Sequence, residues 1–133
     1  MIREIGGVAI QTTHRASCHC GRVWLELDLP RGIVRPGHCN CSICRRKGTL
    51  TGSVPLVGLR VIRDDDALKR YRFNNGAEEH YFCAHCGIHT HHHTACDPEH
   101  YSFNIGCLDG IDPFMLEADI EPNAGAGLCR GAG

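Results

Sequence analysis

The chain is 133 residues long, with 42% hydrophobic residues, 22% charged residues and a formal net charge of −1. This composition can bury a hydrophobic core, so it excludes a disordered protein and predicts a single domain over residues 1–133. The near-neutral charge argues against binding to a nucleic-acid backbone, and no run of about 18 apolar residues could span a membrane. Glu4 interrupts the first residues before an apolar segment forms, so we predict no secretory signal and a cytoplasmic location.

The first half of the chain shows the alternation of β-strands. Residues 23–29 are apolar at every second position, which is typical of a strand with one buried face, and Pro30 ends the pattern. Residues 50–56 repeat the alternation, and a shorter strand is expected at 59–62. The only helix that the sequence favours is a single turn at 42–47, ahead of a glycine.

The second half predicts a hairpin and one more strand. Tyr71 and Phe73 alternate with arginines, and residues 74–76 (Asn-Asn-Gly) tolerate the positive φ of a hairpin turn. The returning strand is then expected at 80–83. Residues 101–107 alternate again. The fold class is therefore mainly β, with short turns and little helix.

The two ends of the chain are poorly patterned. Residues 1–10 and about 121–133 show no sustained alternation, and several glycines interrupt them. We therefore expect both ends to be frayed.

Ten cysteines are the most unusual feature of the composition. A secreted disulfide scaffold is one interpretation, but no export signal is present and close neighbours in sequence make poor disulfide partners. Closely spaced thiols are natural metal chelates, so the clusters predict zinc. Three tight clusters contain seven of the cysteines: Cys18 and Cys20; Cys39, Cys41 and Cys44; Cys83 and Cys86.

Two of the clusters are pairs, and two pairs supply the four sulfur ligands of a structural zinc. Cys18 and Cys20 would combine with Cys83 and Cys86 and so tie an early strand to the later hairpin. The sequence alone also permits the first pair to join the middle cluster instead.

The middle cluster offers three ligands from Cys39, Cys41 and Cys44, which leaves one zinc position open, as in reactive sites. The alternative is a second structural zinc that a histidine such as His38 completes. Three thiolates on Zn²⁺ carry one net negative charge. Such an electron-rich zinc is a weak Lewis acid and prefers a soft thiolate ligand, so the site predicts a thiol substrate.

Histidines 89, 91, 92 and 93 resemble a metal-binding tract. On a regular strand His89, His91 and His93 share one face and His92 lies on the other, so they cannot all converge on one ion. We expect a polar strand face near the pocket. Cys107 is expected to pack in the core, with pocket lining as the alternative.

The cysteine motifs resemble those of the glutathione-dependent formaldehyde-activating enzyme family, which also includes centromere protein V. The resemblance covers about residues 14–115. The stretches that carry it are Ser17-Cys18-His19-Cys20-Gly21, Cys39-Asn40-Cys41-Ser42-Ile43-Cys44, Tyr81-Phe82-Cys83-Ala84-His85-Cys86-Gly87 and Asn104-Ile105-Gly106-Cys107-Leu108-Asp109-Gly110.

The resemblance implies a zinc-containing β-tent fold with two zinc ions per chain. It implies a structural zinc on Cys18, Cys20, Cys83 and Cys86, and an open, catalytic zinc on the middle cluster. The implied activity is that of a carbon–sulfur lyase, which joins formaldehyde and the co-substrate glutathione into S-hydroxymethylglutathione. His89 departs from the pattern, since relatives commonly carry an aromatic residue there.

The basic run after the middle cluster fits this substrate. Glutathione has two carboxylates, which Arg45 and Arg46, together with Lys47, would bind; a solvated charge run is the alternative. Two non-enzymatic functions stay open from the sequence. One is a zinc-stabilised binding module, and the other is a thiol or metal sensor.

Overall fold

The computed structural model describes residues 1–39 and 41–116 and the backbone of residues 122–123. The expectation for residues 121–133 therefore falls almost entirely outside the described part of the chain. Within that part no helix has the length and hydrophobicity needed to cross a bilayer.

Strands dominate the described residues, as predicted, and a single α-helix, α1 (Cys44–Lys47), accompanies them. In chain order the strands are β1 (Glu4–Ile5), β2 (Val8–Ala9), β3 (Thr13–Ser17), β4 (Trp24–Asp28), β5 (Val34–Cys39), β6 (Leu50–Pro55), β7 (Leu59–Arg63), β8 (Leu68–Phe73), β9 (Glu78–Cys83), β10 (His89–Thr94), β11 (Asp97–Asn104) and β12 (Pro122–Asn123). Short 3₁₀ turns follow β6 and β11, and a third one covers Pro113–Met115.

The strands form one large sheet and two small ones. The large sheet has the order β12-β5-β6-β11-β10-β9-β8, the second has the order β3-β4-β7, and β1 pairs with β2. All pairings are antiparallel except that of β12 with β5. Antiparallel pairing suits this sequence because short turns link most neighbouring strands.

Side chains from all three sheets meet in one core. Leu25 and Leu27 of β4, Val54 of β6 and Phe103 of β11 are each at most 1% exposed, and Ile5 of β1 joins them. The alternation predicted for residues 23–29 is confirmed, because its apolar positions all point into this core. The fold is thus a single, mainly β domain.

Two local predictions of chain reversal are confirmed. Asn74, Asn75 and Gly76 all have positive φ and connect β8 to β9 as a hairpin. Gly48 caps α1 at a φ of 63°, and its N–H donates to the carbonyl of Cys44. A left-handed residue at this position ends the helix after one turn.

The first ten residues are ordered, in contrast to our expectation that they fray. Gly6 and Gly7 take positive φ, so β1 and β2 can form a tight hairpin. Ile5 is only 2% exposed, and Ile2 exchanges two backbone hydrogen bonds with Ile33. Burial of these isoleucines offsets the entropy lost on ordering the segment, which the weak alternation did not reveal.

Candidate metal centres

The structure brings Cys18, Cys20, Cys83 and Cys86 together. Their four sulfur atoms all lie within 4.8 Å of one another. The first pair follows β3. In the second pair Cys83 ends β9 and Cys86 lies in the turn before β10, so the cluster joins two sheets. This geometry selects one of the two pairings that the sequence left open, and it is compatible with zinc.

Backbone N–H groups surround this four-cysteine cluster. The Val23 N–H donates to Cys18 Sγ over 3.3 Å. A backbone hydrogen bond from Arg22 lowers the pKa of Cys20 to about 6, whereas burial raises the pKa of Cys83 to about 11. Donors aimed at sulfur stabilise thiolates, which is the protonation state that zinc requires. The donor set therefore fits a closed structural zinc.

The middle cluster forms a separate group. The sulfur atoms of Cys39, Cys41 and Cys44 also lie within 4.8 Å of one another. Cys39 ends β5 and Cys44 begins α1, so a six-residue segment supplies all three ligands. Together with the nearby Phe73 and Ile43, these residues make a small hydrophobic cluster apart from the main core.

Charge in the three-cysteine cluster is concentrated on one sulfur. A hydrogen bond from the Cys44 thiol lowers the pKa of Cys39 to about 5, and the same interaction raises the pKa of Cys44. Without a metal, the cluster thus holds a thiolate beside a thiol that donates to it. A divalent cation would displace the remaining protons and use all three sulfurs.

The position opposite the three sulfurs is not closed by histidine among the residues that the structure describes. His38 precedes Cys39 on β5, is exposed, and is not part of the sulfur group. Neighbours in a strand point to opposite faces, which keeps the imidazole away. The alternative of a second structural zinc closed by His38 is therefore not supported.

Two titratable side chains stand beside the three-cysteine cluster: Glu78, which the sequence reasoning missed, and Lys47, which it predicted only as part of the basic run. Glu78 is buried, and its pKa is raised first by burial and then by the charge of Cys39. Burial also lowers the pKa of Lys47 to about 8, although the charges of Cys44 and Cys41 oppose that shift. Lys47 Nζ lies 2.7 Å from His80 Nδ1.

A cavity of about 480 Å³ is lined by Ile43, which packs against the three-cysteine cluster, although none of the three cysteines is itself a lining residue. The helix segment contributes Ile43 and Lys47 to its wall, and β9 and β10 contribute His80 and His89. The remaining lining residues come from the residue before β6, from neighbouring strands and from the turn after Cys86: Thr49, Tyr71, Phe82, Gly87, Ile88 and Asn104. A small substrate in this cavity would contact both the helix and the histidine-bearing strands.

The basic run divides between surface and cavity. Arg45 and Arg46 are exposed and are not among the cavity-lining residues, and Arg46 donates to the Ser42 carbonyl. Lys47 is four residues after Ile43 and lies on the same side of the helix turn, toward the cavity. Helical spacing was the signal that could have separated Lys47 from the two arginines.

The histidine tract differs from the predicted arrangement. In β10, His89 pairs with Phe82 but His91 pairs with the adjacent Tyr81, so Thr90 is an extra residue in a β-bulge. The bulge breaks the alternation and puts His89 on the same face as His92. The expectation that His89 shares a face with His91 and His93 is therefore wrong.

The two faces of β10 have different partners. His92 pairs with His80, and their rings stack at 4.5 Å between centroids. His91 lies on the other face, where it stacks on Tyr81. The sequence reasoning assigned no role to His80. Regular pairing that continues from the start of β10 would place His80 opposite His91, and the bulge shifts it opposite His92.

Cys107 lies outside both sulfur clusters. It is 6% exposed within the main core, in a 3₁₀ turn that follows β11, and its thiol donates to the His89 carbonyl. The expected core position is confirmed. Cys107 also lines a second cavity, near the four-cysteine cluster.

Comparison with known proteins identifies a family and a similar solved structure. The sequence model of the family described as glutathione-dependent formaldehyde-activating enzyme matches residues 13–125. A crystal structure of a Rhodobacter sphaeroides protein from a structural genomics programme is 37% identical. It superimposes with a TM-score of 0.76 over 82% of this chain and 99% of that chain.

Proposed function

Because the chain belongs to the glutathione-dependent formaldehyde-activating enzyme family, we propose that it catalyses the addition of glutathione to formaldehyde at the three-cysteine cluster. The product would be S-hydroxymethylglutathione, and the reverse reaction breaks a carbon–sulfur bond, as in a carbon–sulfur lyase. The observation that carries the proposal is the grouping of Cys39, Cys41 and Cys44 beside a cavity, with no fourth protein ligand among the described residues.

Zinc on three thiolates would supply one open coordination position that prefers a soft thiolate ligand. The four-cysteine cluster would hold a second zinc with a purely structural role. The donor sets differ as these roles require, since four sulfurs complete a tetrahedron and three do not.

Lys47 is the residue that we assign to charge compensation. The thiolate of glutathione would be repelled by a cluster that already carries net negative charge, and the partly buried ammonium of Lys47 offsets that repulsion. This assignment replaces Arg45 and Arg46 as the principal contacts of glutathione. The two arginines remain available only to a part of the substrate that extends outside the cavity.

The reaction itself needs little chemical assistance. A carbon–sulfur bond forms between the thiol and the carbonyl carbon, and the thiol proton ends on the carbonyl oxygen. Holding both reactants in one cavity converts a bimolecular encounter into an effectively unimolecular step. Phe73 and Ile43 pack beside the sulfurs and keep that side of the site apolar.

Two-dimensional exchange NMR of mixed formaldehyde and glutathione tests the proposal. The zinc-loaded protein should accelerate exchange between free and hydroxymethylated glutathione, and Cys41→Ala should abolish the acceleration. Cys107→Ala is the matched control, because it removes a buried cysteine that belongs to neither sulfur cluster. Equal exchange rates with wild type and Cys41→Ala would contradict catalysis at this cluster and favour a binding role.

A further inference from the structure

Three buried histidines form a group that the proposed reaction does not use. One ring nitrogen from each of His80, His89 and His92 lies within 4.8 Å of the others. His89 Nε2 and His92 Nδ1 are only 3.1 Å apart. Two nitrogen ligands of a tetrahedral zinc, each about 2.0–2.1 Å from the ion, stand at about this separation.

The protein builds this group by an irregularity in its backbone. On a regular β10, His89 and His92 would point to opposite faces, and the bulge at Thr90 brings them to the same face. Bulges re-aim side chains at functional sites. The cross-strand pairing of His92 with His80 then adds the third ring.

All three rings are removed from solvent. The exposed fractions of His80, His89 and His92 are 2%, 7% and 5%. Burial is the first cause that lowers the pKa of each ring, so all three are neutral near pH 7. A neutral imidazole keeps the lone pair that a metal requires.

His89 has an unmet hydrogen-bonding need. Its Nδ1 is buried and has no hydrogen-bond partner. Nε2 of the same ring is the nitrogen that faces His92, so an ion between the two rings would leave the ring proton of His89 on Nδ1.

The group is also accessible from the substrate side. His80 and His89 line the same cavity as Ile43 and Lys47. Three protein ligands leave a fourth position, and an exogenous oxygen ligand could reach it from the cavity. A neutral imidazole has only one lone-pair nitrogen, so an ion on His80 Nε2 requires the ring proton on Nδ1 and displaces the Lys47 ammonium, whose Nζ lies 2.7 Å from Nδ1.

We propose that His80, His89 and His92 bind a third metal ion, a divalent cation of the Zn²⁺ class, at the wall of the cavity. Imidazole ligands suit this class of ion. Three neutral ligands leave two net positive charges, whereas the three-thiolate site carries one net negative charge. The histidine site would therefore favour a hard oxygen ligand where the thiolate site favours sulfur.

Zinc titration followed by metal analysis tests the proposal. After reconstitution and removal of excess ion, the wild type should hold one equivalent more than His89→Phe, which preserves an aromatic ring at this position. The affinity for that equivalent should fall by at least about 100-fold in His89→Phe. His91→Phe is the matched control, since His91 is buried on the opposite face of the same strand and should keep the extra equivalent.

A second measurement needs no variant and so does not depend on folding of the mutants. Long-range ¹H–¹⁵N spectra of the wild-type imidazoles should show zinc-dependent shifts of His80, His89 and His92 and none of His91.

Lys47→Met removes a positive charge beside His80 and should raise the affinity for the additional zinc ion by about tenfold. Unshifted imidazole nitrogens in zinc-saturated wild type, or an extra equivalent retained by His89→Phe, would overturn the proposal.

Discussion

The two cysteine clusters use the same ligand atom but are assembled over very different distances along the chain. The four-cysteine cluster joins residues 18 and 20 to residues 83 and 86, and Cys18 and Cys83 are part of the main core. The three-cysteine cluster is contained within residues 39–44 and packs in a small cluster of its own. The first depends on the complete fold, whereas the second is nearly a local structure.

This difference determines how each metal would act on stability. An ion stabilises a protein only to the extent that it binds the native state better than the unfolded state. An unfolded chain can still present three cysteines from six residues to zinc, but it rarely brings together pairs that are more than sixty residues apart. The four-cysteine site should therefore be coupled to folding, and the three-cysteine site should be coupled mainly to activity.

The largest effect is expected from Cys83→Ser. Structural zinc contributes about 10–16 kcal/mol of apparent binding free energy in small zinc domains, which is comparable with the whole stability of a domain. The variant should be insoluble or unfolded, as measured by soluble yield and thermal unfolding. A soluble Cys83→Ser protein with an unchanged melting temperature would remove the distinction between the clusters.

Cys41→Ala should have a much smaller effect on stability. The free energy of unfolding should fall by about 1–2 kcal/mol, because a buried side chain is truncated and the zinc is only weakly coupled to folding. One equivalent of zinc and the exchange activity should also be lost. Urea unfolding with parallel metal analysis measures both quantities. Unfolding as severe as that of Cys83→Ser would show that the local cluster is also structural.

Substitutions in the basic run sharpen the description of the three-cysteine cluster. Lys47→Met should weaken glutathione binding about tenfold, because it removes a cation that interacts with the charges of Cys44 and Cys41. The double variant Arg45→Ala/Arg46→Ala should change affinity by less than about twofold, since exposed charges interact weakly. Calorimetric titration compares the two, and the reverse ranking would return glutathione recognition to the arginines.

The smallest effect is expected from Arg60→Ala, which supplies a metal-independent reference in the β3-β4-β7 sheet. Arg60 contacts Asp28 and Glu26 on the exposed face of that sheet. The guanidinium lowers the pKa of Asp28, so the pair is present at neutral pH and is lost as pH falls through that lowered pKa. Melting temperatures of variant and wild type at pH 7 should differ slightly, and by less in about 1 M salt, which screens an exposed ion pair without protonating the cysteines.

Much of the fold was available from the sequence because its signals are local. The alternation at 23–29, the Asn-Asn-Gly turn and the helix stop at Gly48 all appear in the structure as predicted. Each depends on the conformational preference of a few adjacent residues or on the period of one strand. The clusters of cysteines are equally local, since their spacing alone identifies chelating groups.

The assembly of the sites was decided only by the tertiary structure. Alternation along β10 could not reveal the bulge at Thr90, because a bulge is a mismatch in length between two paired strands. The partly buried position of Lys47 beside exposed Arg45 and Arg46 likewise depends on which side of α1 faces the cavity. By itself the sequence identified the cysteines that could chelate a metal and several of the segments that form strands. Long-range register and packing determined which of those residues meet, because these depend on partners distant in the chain.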